Sequence, residues 1–152
     1  MKIYTASSWR NQYYDNILSE LHKEGYTIYN FRNPRPNDYG FAWKQIDPQW
    51  EKWTIPEYLK GLEAPLAVKG FESDFWGIET ADVCVLILPC GRSAHLEAGF
   101  FVGHPRKKLI IYITETIEPE LMYKMADSIV TNMTDLKTTL RHYEDKYFWD
   151  RP

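Results

Sequence analysis

Apolar positions along this chain follow two rhythms. Short continuous runs at 2–5, 26–31, 83–88, 109–113 and 128–130 read as strands. Between them, apolar residues recur three or four positions apart. Residues 11–23 carry Tyr14, Ile17, Leu18 and Leu21 on one helical face, and Gly25 supplies a stop. The same spacing predicts helices at 70–80, where Phe71, Phe75 and Ile78 share a side, at 94–102 and at 133–147, with a short one at 119–125. Continuous apolar strands alternating with helices predict an α/β fold with a parallel sheet covered on both faces. The expected layout is doubly wound, flavodoxin-like or Rossmann-like, with five strands and ligands outside their carboxyl ends.

Residues 33–65 break this rhythm. They hold five of the nine prolines and three of the six tryptophans, with Tyr39, Phe41 and Tyr58 added. Disordered linkers are poor in aromatic residues, so the segment reads as an ordered insertion after strand two. Such insertions are commonly lids or binding loops. The alternative is that Trp43, Trp50 and Trp53 simply pack it onto the domain. Its place after strand two puts it at the expected ligand edge, where an aromatic side chain could stack on a base.

A chain of 152 residues has the size of one domain, expected here over 1–152. The net charge of −3 gives no electrostatic footprint for a nucleic-acid backbone. Cys84 and Cys90 lie on one strand and in the turn after it, so free thiols are expected, as in a reducing cytoplasm. Two such ligands do not make a zinc site, and neither a metal nor another cofactor is expected. No apolar run approaches a membrane span, which together with the thiols gives a cytoplasmic expectation without membrane partners.

The candidate chemistry gathers in residues 91–99. A strand, a turn through Gly91 and a helix start aim loose backbone N–H groups and a positive dipole end at whatever lies above them. Arg92 adds charge and Ser93 a hydroxyl, and Glu97 follows one turn into the helix. A carboxylate beside an anion cradle fits a small phosphate- or sugar-bearing ligand. Taken alone, Glu97 also reads as a dipole-stabilising acid of a first helical turn. Asp74 has the same dull reading if its helix begins at Ser73. His95 points to another side of the helix from Glu97. Gly99 and Gly103, four apart, are expected to let the helix lie close against the sheet.

Taken together these residues resemble the nucleoside 2-deoxyribosyltransferase superfamily, including its nucleotide N-glycosidase branch. The resemblance rests on the opening strand and turn, Ile3-Tyr4-Thr5-Ala6-Ser7-Ser8-Trp9-Arg10. It rests also on Ser73-Asp74-Phe75-Trp76-Gly77-Ile78-Glu79-Thr80-Ala81-Asp82 and on the Glu-x-Gly ending, Glu97-Ala98-Gly99. It implies that Glu97 is the nucleophile at the anomeric carbon and that Asp74 contacts the base and assists its protonation. Tyr4 falls where the family has a tyrosine hydrogen-bonded to the glutamate. Ser8 and Arg10, flanking Trp9, resemble the Ser-x-Arg that the nucleotide-cleaving branch directs at a 5′-phosphate, with Ser93 a second donor. The family also forms oligomers, so a homo-oligomer is expected, and the aromatic tail 147–152 is expected to dock on the body or on a neighbour. One departure stands out: Gly91 occupies the place of a further aspartate, six residues before the glutamate.

The chemistry is coherent without the family. Breaking an N-glycosidic bond develops positive charge on the sugar, which a carboxylate below the ring stabilises electrostatically or covalently. A second, protonated carboxyl can donate to the departing base. The expected function is cleavage or exchange of the N-glycosidic bond of a nucleotide or nucleoside. The alternatives are a glycohydrolase for NAD or ADP-ribose-type dinucleotides and a non-catalytic nucleotide-binding sensor.

Overall fold

The computed structural model describes residues 1–149, with side chains through Lys146. The chain divides into two compact units, one made of residues 1–29 and 80–152 and the other of residues 30–79.

In the first unit the strands β1 (Lys2–Ala6), β2 (Thr27–Asn30), β3 (Val83–Leu88), β4 (Lys108–Ile113) and β5 (Ser128–Val130) form one parallel sheet in the order β2-β1-β3-β4-β5. The register sets Tyr4 beside Cys84 and Val85 beside Ile110. All six residues of β3 are buried, because this central strand is covered on both faces, and its continuous apolar run follows from that. Successive side chains on β1 part to opposite faces. The Tyr4 ring stacks on Tyr29 at 5.3 Å and meets Phe101 of α4 (Arg92–Gly103) at 6.0 Å. Thr5 faces the other way, its hydroxyl 2.7 Å from that of Tyr14 on α1 (Tyr14–Lys23).

Helix α1 stops at Gly25, whose φ of +85° is the left-handed conformation that ends helices. On the same side, α5 (Met133–Trp149) is tied to α1 by Lys137 with Glu20 at 2.9 Å and by Arg141 with Glu24 at 2.6 Å. Helix α4 packs on β1, β3 and β4 through Ala94, Ala98 and Phe101. The two alanines bring it close to the sheet. Gly99 and Gly103 do not, contrary to expectation: both are exposed, and a Cβ at either would meet nothing within 4 Å.

The second unit contains more regular structure than the sequence pattern predicts. Two 3₁₀ turns, Trp43–Gln45 and Trp50–Lys52, precede α2 (Ile55–Leu62) and α3 (Pro65–Thr80), whose last residue enters the first unit. Helix α2 starts at Thr54, whose N–H and hydroxyl both donate to the Glu57 carboxylate at 2.7 and 2.6 Å. Pro56 sits in its first turn, where a missing N–H costs nothing. An edge-to-face aromatic cluster forms the core, with Trp43 against Phe41 at 4.9 Å, Trp53 at 5.7 Å and Tyr58 at 5.9 Å. The Trp53 indole N–H donates to Asp47 at 2.6 Å. Helices α2 and α3 approach these rings at glycines. A Cβ on Gly61 would stand 2.6 Å from Trp53, and one on Gly70 would stand 2.7 Å from Phe41.

Among the described residues no helix is long and apolar enough to cross a membrane. The docking expected of the tail concerns side chains 147–149 and residues 150–152, which lie outside the described residues.

Candidate active site at the carboxyl end of the sheet

The strand order reverses direction between β1 and β3, and both chain segments leaving these strands turn outward at their carboxyl ends. This is the place where open α/β sheets bind ligands. Two side chains stitch these exits together, and a third ties in the exit of β4. Asn11, almost fully buried, donates its amide to the carbonyls of Ile87 at 3.2 Å and Pro89 at 3.1 Å. Its own carbonyl accepts the Tyr13 N–H at 2.8 Å. Ser7 Oγ donates to Ile87 O at 2.8 Å, and Thr114 Oγ1 from the β4 exit donates to Leu88 O. Asn11 reads in the sequence as the first residue of a helix; instead it precedes α1 and serves as a clamp. Its only signal in the sequence is a polar residue shortly after a strand that points to the ligand edge.

On the β1 side, Ser8 Oγ accepts the Arg10 N–H at 3.1 Å, and the Ser8 carbonyl accepts the Asn11 N–H at 3.1 Å. This tight turn leaves Trp9 half exposed, and Arg10 exposed with its guanidinium bound to no other described residue. On the β3 side, Gly91 is the residue before α4 and has an extended backbone, with no side-chain cap on the helix. The first N–H groups of α4, from Arg92, Ser93 and Ala94, therefore have no side-chain acceptor of that kind. Arg92 and Ser93 are both exposed.

His95 fixes this turn. Its Nδ1 lies 2.9 Å from Gly91 O and its Nε2 lies 2.9 Å from the Tyr123 hydroxyl. A carbonyl only accepts, so Nδ1 carries the proton and, in the neutral ring, Nε2 accepts from Tyr123. The two rings also stack, with centroids 5.8 Å apart. His95 thus holds the turn before α4 to the 3₁₀ segment Leu121–Met125.

Glu97 is the sixth residue of α4, because the helix starts two residues earlier than its apolar spacing predicts. That overturns the dipole reading, since the dipole's effect is concentrated in the first turn. Glu97 flanks the Ala94–Ala98–Phe101 stripe and is half-buried. Its charge is felt by two thiols. Burial first, and the Glu97 carboxylate second, push the Cys84 thiol well up and the Cys90 thiol up to about 12. Cys84 pairs in register with Tyr4, and Tyr4 touches Phe101 one turn beyond Glu97. Tyr4, Cys84, Cys90 and Glu97 therefore share the α4 side of the sheet. Both cysteines are free, and neither is a thiolate near neutrality.

Tyr4, Ser8, Trp9, Arg10, Gly91, Arg92, Ser93 and Glu97 all belong to the first unit. Asp74 belongs to the second unit, where it is half-buried on α3. It is the tenth residue of that helix, which starts at Pro65 and not at Ser73, so the alternative reading of it as a first-turn capping acid is overturned as well. Among the described residues no group of three or more His, Cys, Asp or Glu side chains is placed to hold a metal ion.

The fold itself has a known counterpart. It is similar to that of a 2-deoxyribosyltransferase from the psychrotolerant bacterium Bacillus psychrosaccharolyticus, a biocatalyst for nucleoside synthesis. The TM-score is 0.53 at 16% sequence identity, over 90% of each chain. The likeness is one of fold. No protein-family model matches the sequence, and no curated protein matches it.

Proposed function

We propose that this chain cleaves or exchanges the N-glycosidic bond of a nucleotide or nucleoside, with Glu97 as the nucleophile. The observation that carries the reading is the placement of Glu97: half-buried against the sheet, past the first turn of α4, below the edge where this fold takes ligands. Glu97 has no capping role there, and a half-buried carboxylate at a ligand edge is a candidate for chemistry.

In the proposed reaction a Glu97 oxygen attacks C1′ of the sugar. The C1′–N bond breaks, its electron pair leaves with the base, and the base takes a proton from solvent. Water then attacks C1′ of the glycosyl ester, Glu97 departs as carboxylate, and the water proton returns to solvent. Tyr4 lies on the same side of the sheet as Glu97, its ring against Phe101 one turn further along α4. A base in place of water turns hydrolysis into exchange. Gly91 offers no carboxylate to a second nucleoside, which favours water as the acceptor. The Arg10 guanidinium, the Ser8 turn and the open start of α4 with Ser93 are donors suited to a 5′-phosphate.

Exposed apolar side chains support the reading that copies of the chain associate. Leu96 on α4 is 81% exposed and Leu121 76%, with Met122 and Met125 beside the latter in sequence.

The test is chromatography of free bases released from ribo- and deoxyribonucleosides, their 5′-monophosphates and NAD, with and without an acceptor base. Release by the wild-type protein that falls by several orders of magnitude in Glu97→Gln supports the proposal. Equal release by both proteins, or release by neither, removes it. Preferred release of nicotinamide from NAD assigns the dinucleotide as substrate.

A further inference from the structure

Two ring side chains that the glycosidic chemistry does not use, His95 and Tyr123, end on the turn that opens the candidate site. That turn is held by side chains. Ser7 and Asn11 donate to Ile87 O, Thr114 to Leu88 O, and Asn11 again to Pro89 O. Gly91 is the last link before α4. Its φ of −92° and ψ of −176° are open to any residue, and a Cβ there would meet nothing within 4 Å. Neither packing nor a special conformation therefore fixes it. Among the described residues, the side chain that donates to its carbonyl is His95, at 2.9 Å. The Gly91 carbonyl and the Arg92 N–H belong to one planar trans peptide and point opposite ways. Holding the carbonyl also fixes the direction of that N–H, the first of the open donors of α4.

His95 can hold Gly91 in one proton arrangement only. Nδ1 must carry the proton, and the bare Nε2 must then find a donor. Tyr123 is that donor, at 2.9 Å, and its hydroxyl has no other side-chain partner among the described residues. Burial first, and the nearby Cys90 and Glu120 after it, raise the Tyr123 phenol above its ordinary 10, so the hydroxyl keeps the proton it donates. The rings stack within 11° of parallel, which restrains the imidazole.

A competing arrangement runs the other way. Cys90 Sγ lies 3.5 Å from Nδ1, so a thiol proton could serve a bare Nδ1 while Nε2–H donates to Tyr123. That trades an N–H bond to a carbonyl for a weak thiol donor, and it sets two lone pairs against each other at Gly91 O. The Tyr123 hydroxyl favours the first arrangement by placing a donor at Nε2. Without it, water meets Nε2 as readily as acceptor as it does as donor, and the preference is lost.

We infer that Tyr123 is a positioning residue of the candidate active site: it keeps the His95 proton on Nδ1, and His95 in that form holds the Gly91 peptide that opens α4. What the turn binds, a 5′-phosphate at the start of α4, rests on the glycosidic reading; how it is held rests on the hydrogen bonds alone.

The first test is the ring nitrogen spectrum of His95, read by two-bond proton–nitrogen NMR on the full chain at a pH where the ring is neutral. His95→Asn identifies the signals. Wild type is expected to show a protonated Nδ1 and a bare Nε2. Tyr123→Phe, which keeps the aromatic ring, should move the proton toward Nε2. The second test is base release. Tyr123→Phe should raise KM roughly fivefold for a nucleoside 5′-monophosphate, the weight of one hydrogen bond, and leave KM for the matching nucleoside unchanged. His95→Asn puts a permanent amide donor where Nδ1 stands, so no tautomer has to be chosen. In that background Tyr123→Phe should change neither KM. A protonated Nε2 in wild type, or a spectrum that Tyr123→Phe does not move, overturns the inference. So does a KM rise shared by nucleotide and nucleoside, or one that persists in the His95→Asn background. Release that needs Glu97 but ignores Tyr123→Phe counts against this inference alone. Release by no protein removes the glycosidic reading, and the His95 spectrum still decides whether Tyr123 sets the tautomer.

Discussion

Replacing Asn11 by alanine should loosen the ligand edge of the sheet by an amount that can be worked out. The side chain hydrogen-bonds to Ile87 O, Pro89 O and Tyr13 N–H, at 3.2, 3.1 and 2.8 Å. Each is worth about 0.5–1.5 kcal/mol net, with a further cost when a buried partner is left bare. Ile87 O keeps the Ser7 hydroxyl, so it loses one of two donors. Pro89 O loses its side-chain donor outright. The sum is a loss of about 2–4 kcal/mol, and a domain of this size loses about 2–4 °C in Tm per kcal/mol. A fall of about 5–15 °C follows, read by thermal and urea unfolding with an unchanged m-value. Asn11→Asp should lose at least as much at pH 7, because it keeps the acceptor for Tyr13 but turns a carboxylate oxygen toward two carbonyls. A loss below about 0.5 kcal/mol for alanine, or an aspartate variant as stable as wild type, would refute the clamp.

Two further outcomes follow from the charges. With its thiol pushed up to about 12, Cys90 should react with iodoacetamide at pH 8 roughly a thousandfold more slowly than a free thiol. Glu97→Gln should speed that reaction by removing the second cause of the shift, and an unchanged rate would mean that Glu97 does not face Cys90. Glu20 is held down to about 2 from an ordinary 4.5, first by its hydrogen bond from Lys23 and then by Lys137. A depressed carboxyl stabilises the fold above its unfolded value and loses that contribution as pH falls through its folded one. The Tm gap between wild type and Glu20→Gln should therefore be full at pH 6, shrink below about 4.5 and vanish near 2. High salt should narrow it at pH 6, and a gap that persists at pH 2 would contradict the assignment.

Legibility in the sequence followed burial. The run Val83–Leu88 was plain because β3 is covered on both faces, so no polar residue interrupts it. The strand–turn–helix around Gly91 was equally visible, and with it Glu97, Arg92 and Ser93. Helix α2 was hidden because Pro56 and Gly61 look like breakers. Pro56 lies in the first turn, and Gly61 is set by the Trp53 ring rather than by a chain reversal. The start of α3 was displaced for the same reason, since Gly70 reads as a boundary but stands mid-helix against Phe41. Asp74 inherited that error. The Asn11 clamp and the His95–Tyr123 pair join residues 76 or more and 28 positions apart, beyond the reach of local periodicity.

The central claim is that Glu97 forms a bond to the sugar, and stereochemistry tests it most directly. A β-nucleoside or nucleotide that the protein cleaves would be incubated with methanol, and the anomeric configuration of the methyl glycoside read by proton NMR before it equilibrates. Two displacements through a glycosyl-Glu97 ester return the β-anomer, as in retaining glycosidases. An α-anomer would mean a single direct attack by the acceptor, and Glu97 would then be a base or an electrostatic group and not the nucleophile.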